Sequence, residues 1–288
     1  MDVEYATSTE AFKYYRCLSC DILFIDPVPK NRLDEIYPAG YYSFSLPRKN
    51  LVSRIKDLLD VRIFRGILKE LSGNDLKVLD VGGGSGWQLN KIKAIDSRIG
   101  LTQIVDLDAN AAHIAEKNGH QYYCGRIEDF DAPLKFDLVL LLNLIEHLDD
   151  PLTILKKIRS LLSPQGVVLI KTPNFESLDA RIFRHRNWGG FHCPRHWILF
   201  NKESFTNIVH QAHLRVEEFK YTQGAPFWSI SVLSRLKKRG VISGSPQKPL
   251  AGHPWYPFFN AVFAVFDFSR SAFSKTSQMF FILREKSQ

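Results

Sequence analysis

The sequence predicts an α/β protein with a parallel sheet covered by helices on both faces, and three observations predict it. Short β-rich runs alternate with amphipathic helical patterns through the middle of the chain, the rhythm of βαβ units. The stretch "VLDVGGGSGWQL" (78–89) sets four glycines in five positions directly behind an apolar run that ends in an acid. In an open α/β sheet that is where a ligand meets the main chain. Finally, one intervening helix is delimited at both ends: Asp150 as N-cap, Pro151 at the first helical position, Leu152, Leu155, Ile158 and Leu162 on one face, and "SPQG" as terminator.

In chain order, residues 1–45 form a small N-terminal segment that carries a Cys17-x-x-Cys20 pair. Residues 50–71 read as a long amphipathic helix that leads into the first strand of a core spanning 46–221. Its strands are "KVLDV" (77–81), "GLTQIV" (100–105), "HQYYC" (120–124), "FDLVLLLN" (136–143), "GVVLIKT" (166–172) and "LRVEEFKY" (214–221). A last strand, "MFFILREK" (279–286), falls in the terminal stretch 279–288, too far from its predecessor for a hairpin, so 222–278 is expected to be an insertion. The insertion holds "RLKKRG" (235–240), a Gly/Pro/Ser-rich linker and "HPWYPFFNAVFAVFDFSRSAF" (253–273). Asp267 and Arg270 interrupt that last stretch too much for a transmembrane span. It reads either as an amphipathic helix that lids a pocket or lies on a membrane, or as a helix packed on the core in the ordinary way.

With 288 residues, 45% of them hydrophobic, the chain can bury a sizeable core. No repeat or low-complexity tract is visible, and the first thirty residues lack the pattern of a secretory signal, so the cytoplasm is the expected compartment. Four cysteines are too few for a disulfide framework. A net charge of +8, partly concentrated in "RIFRHR" (181–186) and "RLKKRG", favours anionic partners: phosphorylated substrates, nucleic acid or a membrane surface. Cys17 and Cys20 are half of a zinc site, and no His precedes them to complete it. No bound metal is therefore expected.

A dinucleotide fingerprint requires G-x-G-x-x-G, and Trp87 stands where its third glycine belongs. The pattern present is Asp80-x-Gly82-x-Gly84-x-Gly86, which resembles motif I of the class I S-adenosylmethionine (SAM) dependent methyltransferases. That resemblance implies SAM as cofactor, with the loop under its methionyl and ribose portions and Asp80 directed at the methionyl amine. "VDLDANAAHIAEKNG" resembles the family's ribose-binding segment and points to Asp106, with Asp108 as a rival that also reads as a helix N-cap. "GRIEDF" resembles the adenine-facing segment and points to Asp129 before Glu128. "FDLVLLLNLIEHLDDP" and "LLSPQGVVLIKTPN" resemble the ubiquinone-type O-methyltransferases and their bacterial relatives. So do "FHCPRHWILFNKESF" (191–205), seen in one bacterial subgroup, and the amino-terminal segment, similar to a cysteine knuckle on members of that subgroup. The fold implied is a Rossmann-like seven-stranded sheet whose last strand runs antiparallel, with a small N-terminal appendage and a C-terminal insertion.

Methyl transfer from SAM demands alignment of nucleophile, methyl carbon and sulfur, and a hydroxyl acceptor also needs a base. His147, after the fourth strand, and His192 and His196, in the Pro-Arg-His segment, are the candidates. Each also has a purely structural reading: a turn-shaping hydrogen bond for His147, and a loop folded under Trp188, Phe191 and Trp197 for the other two. Asn143, at a strand end, contacts the cofactor or serves the turn. The function expected is methyl transfer to an oxygen or carbon of a small, glycan-linked or lipid-linked acceptor in surface-polysaccharide assembly, with peripheral contact to the inner face of a membrane. A quinone-like aromatic is the alternative acceptor. Base-amino methylation of nucleic acid is disfavoured because "NLIEHL" replaces the Asn/Asp-Pro-Pro-aromatic motif, and the intact glycine loop disfavours an inactive scaffold.

Overall fold

The computed structural model describes residues 2–37, 51–185, 187–245 and 248–286. Residues 38–45 of the expected N-terminal segment and Arg186 of the first basic cluster lie outside them. The chain begins with a hairpin, β1 (Lys13–Arg16) and β2 (Leu23–Asp26), followed by the short α1 (Leu33–Ile36). The core runs α2 (Leu51–Glu70), β3 (Leu76–Val81), α3 (Trp87–Ile95), β4 (Ile99–Asp106), α4 (Ala109–Lys117), β5 (Gln121–Cys124), β6 (Phe136–Leu142), α5 (Pro151–Leu161) and β7 (Leu162–Pro173). It continues with α6 (Leu178–Phe183), β8 (Ile198–Leu199), α7 (Lys202–Gln211) and β9 (Leu214–Thr222). Then come α8 (Ala225–Lys238), α9 (Tyr256–Arg270) and β10 (Gln278–Glu285).

Seven strands form one sheet in the order β5-β4-β3-β6-β7-β10-β9. The first five are parallel, and β10 inserts antiparallel to both β7 and β9. This is the expected seven-stranded arrangement, including the long excursion between its last two strands. Successive side chains of a strand point to opposite faces, so each buried strand feeds two cores. Val78, Leu138, Leu140, Val167 and Leu169 pack under α2, α3 and α4, through Phe64, Leu68, Leu89, Ile92 and Ala115. Leu79, Val139, Leu141, Val168 and Ile170 pack under α5 and α7, through Ile154, Leu155, Ile158, Phe205 and Val209.

The helix α5 begins as its sequence requires, with the Asp150 carboxylate accepting from the Thr153 N–H at 3.0 Å. It ends one residue earlier than the apolar stripe suggests. Leu162 takes extended angles (φ −79°, ψ 140°) and pairs with Phe136 in the sheet, so its side chain belongs to the strand.

The N-terminal hairpin joins β8 in a separate three-stranded sheet, β1-β2-β8. Its turn carries Cys17 and Cys20, both free thiols, and among the described residues no third Cys, His, Asp or Glu completes a metal site with them. In the insertion, α8 and α9 pack on each other, with the Trp228 and Phe263 rings stacked at 4.9 Å. Asp267, fully buried, accepts from Trp228 Nε1 at 3.2 Å, from the Gly224 N–H at 3.1 Å and from Ser277 Oγ at 2.7 Å. Ordinary packing describes only this inner face of α9, because its outer face is exposed and apolar. No helix among the described residues is long and apolar enough to cross a membrane.

Candidate active site at the C-terminal edge of the sheet

The loop after β3 reverses direction through positive φ at Gly82 (74°), Gly84 (52°) and Gly86 (82°). At Gly86 a Cβ would lie 2.4 Å from the His120 imidazole, so conformation and space both demand glycine there. Asp80, at the end of β3, is buried, and its Oδ2 has no hydrogen-bond partner among the described residues. Burial, with the Asp106 charge beside it, pushes its carboxyl up to about 8. A buried carboxylate oxygen without a partner, beside a glycine-rich loop, has the chemistry to accept from a cationic amine.

Asp106, at the end of β4, ties the loop down: Oδ2 accepts from the Gly84 N–H at 2.8 Å and Oδ1 from the Asp108 N–H at 3.0 Å. A carboxylate offers about four lone-pair sites, so capacity remains for hydroxyl donors. Asp108 is the N-cap of α4, accepting from the Asn110 N–H at 2.9 Å, which is the capping role its sequence context suggested. Asp129 is exposed in the turn after β5, while Glu128 pairs with Arg126 at 2.6 Å. Asn143 adopts φ 58° just beyond β6, and its Oδ1 accepts from Gln278 Nε2 at 2.7 Å, linking this turn to β10.

All three candidate histidines meet beside the end of β6. Ring centroids lie 4.7 Å apart for His147 and His196, 5.0 Å for His192 and His196, and 6.3 Å for His147 and His192. Their environments differ. His147 Nδ1 is hydrogen-bonded to the Tyr37 hydroxyl at 2.9 Å, not to its own turn, and burial, with His192 and Arg195 nearby, pushes its pKa down to about 3. His196 donates from Nδ1 to the Gly190 carbonyl at 2.8 Å, and burial among the other histidines holds its pKa well below the ordinary value. His192 sits at φ 37°, a conformation side chains rarely adopt, with Nδ1 at 2.6 Å from the Glu4 carboxylate.

Glu146 lies beneath this cluster, fully buried, accepting from Thr172 Oγ1 at 3.0 Å, with Oε1 at 3.9 Å from His196 Nε2. Burial pushes its carboxyl up to about 8, so near neutral pH it is mostly a protonated acid. The ligand-capable atoms of Glu146, His147 and His196 lie within 4.8 Å of one another, a donor set able to hold a divalent cation. No metal is expected from the sequence around the cysteine pair, and this second set joins side chains about fifty positions apart, Glu146 and His147 with His196.

Two adjoining cavities open beside the cluster. One, about 320 Å³, includes Glu4, Tyr14, Trp188, Phe191 and His192 in its lining. The other, about 310 Å³, includes Arg16, Phe175, Arg181 and Arg184 and shares Arg184, Trp188 and Phe191 with the first. Arg16 is paired with Asp21. Among the described residues no carboxylate pairs with Arg181 or Arg184.

Sequence reasoning missed the acids contributed by the N-terminus. Asp2 bonds Arg195 Nη2 at 2.7 Å, both side chains fully buried. Burial opposes ionisation of Asp2, but the Arg195 charge and hydrogen bond hold its carboxyl below the ordinary value. The Tyr14 hydroxyl donates to the His196 carbonyl at 2.7 Å, fastening β1 to the Pro-Arg-His loop. The only trace of this in the sequence is two acids within the first four residues, a pattern that says nothing about what they meet.

A profile of the family described as a methyltransferase domain matches residues 52–218. The chain is 30% identical over 124 residues to a ubiquinone biosynthesis O-methyltransferase of Bradyrhizobium diazoefficiens, covering 40% of this chain and 43% of that protein. To a protein of the same description from Rhodopseudomonas palustris (strain BisB18) it is 29% identical over 188 residues, covering 56% and 67%. The match thus spans less than half the length of the Bradyrhizobium relative. Among solved structures, coclaurine N-methyltransferase bound to N-methylheliamine and S-adenosylhomocysteine (SAH) superimposes with a TM-score of 0.56 at 13% identity, covering 84% of this chain and 76% of that one. A putative sarcosine dimethylglycine methyltransferase from Galdieria sulphuraria gives 0.52 at 13% identity, covering 81% and 86%. At such identities the likeness concerns the fold.

Proposed function

This chain belongs to the methyltransferase-domain family, SAM being its methyl donor, and from that premise we propose that it methylates a hydroxyl of a small anionic acceptor held against the histidine cluster. The observation that carries the reading is adjacency. Asp80 and the glycine loop end β3, the histidine cluster follows β6, and these two strands are parallel neighbours, paired at Asp80 and Leu140. Cofactor receptor and proton acceptor thus share one edge.

SAM supplies an electrophilic methyl group on a positively charged sulfur. The protein's tasks are to hold the donor, orient the acceptor and take one proton. In our reading Asp80 meets the methionyl ammonium with its partnerless oxygen, Asp106 accepts from the ribose hydroxyls, and Asp129 faces the adenine. Of the three histidines, His192 is the base. The Glu4 carboxylate fixes Nδ1–H as the donor and stabilises the imidazolium, so Nε2 is the atom that takes the hydroxyl proton as oxygen attacks the methyl carbon and the carbon–sulfur bond breaks. His147, with a pKa near 3, is too weak a base to hold that proton and instead walls the site with His196.

The acceptor's character follows from the adjoining cavities. Aromatic surfaces at Phe175, Trp188 and Phe191 suit a sugar or another ring, and Arg181 and Arg184 suit a phosphate. A phosphorylated, nucleotide-linked or lipid-linked saccharide of surface-polysaccharide assembly fits both. The insertion's basic stretch is not part of these linings, and Arg195 and Trp197 are buried, so the cations that support this reading are those of α6 and the turn after it. The four free cysteines support a reducing, cytoplasmic compartment. A quinone-like aromatic is the second reading, favoured by the names of the curated relatives.

Methyl transfer from labelled SAM into fractionated cell extract separates the two. Label in phosphorylated or lipid-linked saccharides is the expected result, and label confined to quinones refutes it. With an acceptor in hand, His192→Ala should lower turnover roughly a hundredfold or more with SAH affinity unchanged. Full turnover in His147→Ala, His192→Ala and His196→Ala alike would mean alignment without a base.

A further inference from the structure

We propose that the outward face of α9 docks this protein on an anionic lipid bilayer, an interaction independent of the methyl-transfer reading. Along the helix and its flanks, Trp255 (47%), Phe258 (65%), Val262 (46%), Val265 (71%), Phe268 (63%) and Phe273 (80%) are exposed. Such a run of large apolar side chains in water marks a contact surface and not scatter. Phe258, Val262 and Val265 repeat at i, i+4 and i+7, so they line one side of the helix. The opposite side is committed inward: Phe263 stacks on Trp228, and Asp267 is buried among Gly224, Trp228 and Ser277.

The charges identify the occupant. The helix contains one acid and one base, Asp267 and Arg270, and they pair with each other at 3.2 Å, which leaves the outer face uncharged. Where α8 ends, Arg235, Lys237, Lys238 and Arg239 stand together, and among the described residues none is paired with a carboxylate. That end is held against the start of α9 through Leu236, Tyr256 and Phe259, so cations flank the Trp255 and Phe258 end of the apolar face. A second copy meeting it through the same α9 face would bring no unpaired acid from that helix to those cations. Lipid phosphates would neutralise them while the acyl boundary takes the aromatic side chains, the arrangement of an interfacial helix with a tryptophan at its border. The inner side of α9 packs on the cluster of Trp188 and Trp228, and Trp188 also lines the arginine-containing cavity.

The test is vesicle flotation of the full chain, using phosphatidylcholine vesicles with and without phosphatidylglycerol, with SAH calorimetry as a control for folding. The protein should float with the anionic vesicles and at least tenfold less with the neutral ones. Val265→Glu with Phe268→Glu, both at exposed positions, should abolish flotation while SAH affinity stays unchanged. Lys237→Glu with Lys238→Glu should remove the preference for anionic vesicles. Absence of flotation by protein that binds SAH, or undiminished flotation by the Val265/Phe268 variant, overturns the proposal. So does a stable dimer in solution that the same variant splits, which would give this face to a second copy. Loss of methyl transfer with flotation intact would count against the proposed function alone.

Discussion

Replacing Asp80 by Asn should uncouple cofactor binding from proton release. The carboxyl is buried and pushed up to about 8, so at pH 6.5 the neutral form outweighs the ionised form by roughly thirtyfold in the ligand-free protein. A cationic amine at its partnerless oxygen reverses that preference, and binding then expels close to one proton per cofactor. Ionising the group at pH 6.5 costs about 2 kcal/mol. SAH affinity should therefore strengthen roughly fifteenfold between pH 6.5 and pH 8, and about twofold more before it levels off above the carboxyl's pKa. Calorimetry in buffers of different ionisation enthalpy, phosphate and Tris, reads the proton directly. In Asp80→Asn the released proton should vanish, the pH dependence should flatten, and affinity should fall tenfold or more. Identical heats for the wild type in both buffers at pH 6.5, or undiminished affinity in the variant, would refute the assignment of Asp80 to the amine.

Glu4→Gln keeps a hydrogen bond to His192 but removes the charge, so turnover should drop about tenfold to a hundredfold. SAH titration should show unchanged affinity, because the Glu4 carboxylate contacts His192 and not the glycine loop. Gly86→Ala meets both a positive φ of 82° and a Cβ 2.4 Å from His120, so thermal melting should reveal destabilisation and SAH binding should be lost. Asp80 and Glu146 both have folded pKa values near 8, well above the values of about 4 they take when unfolded. The stability they contribute is complete below pH 4 and is lost as pH rises through 8, so the melting temperature of ligand-free protein should fall from pH 6 to pH 9. Asp80→Asn with Glu146→Gln should flatten that decline.

The order of the elements and the position of the glycine loop were legible because both are written locally. Periodicity marks strand and helix within a dozen residues, and Gly82, Gly84 and Gly86 bend the chain wherever they stand. Asp150 and Pro151 started α5 as read, whereas the fate of Leu162 turned on a strand partner, Phe136, that no local pattern reveals. The three histidines were identified from a motif, but their rank was not. His147 and His192 are the same residue type, and only burial and neighbours separate a ring held near pKa 3 from one gripped by a carboxylate.

The sequence by itself therefore determined the parallel sheet, the glycine turn and a set of candidate side chains, since each depends on residues adjacent along the chain. The tertiary structure alone decided that Glu4 meets His192 across 188 positions, that Asp2 neutralises a buried Arg195, and that one apolar face of α9 is left exposed. Those outcomes depend on which elements the closed fold brings within a few ångströms, and Coulomb and desolvation energies are set by that distance and burial, not by separation along the chain.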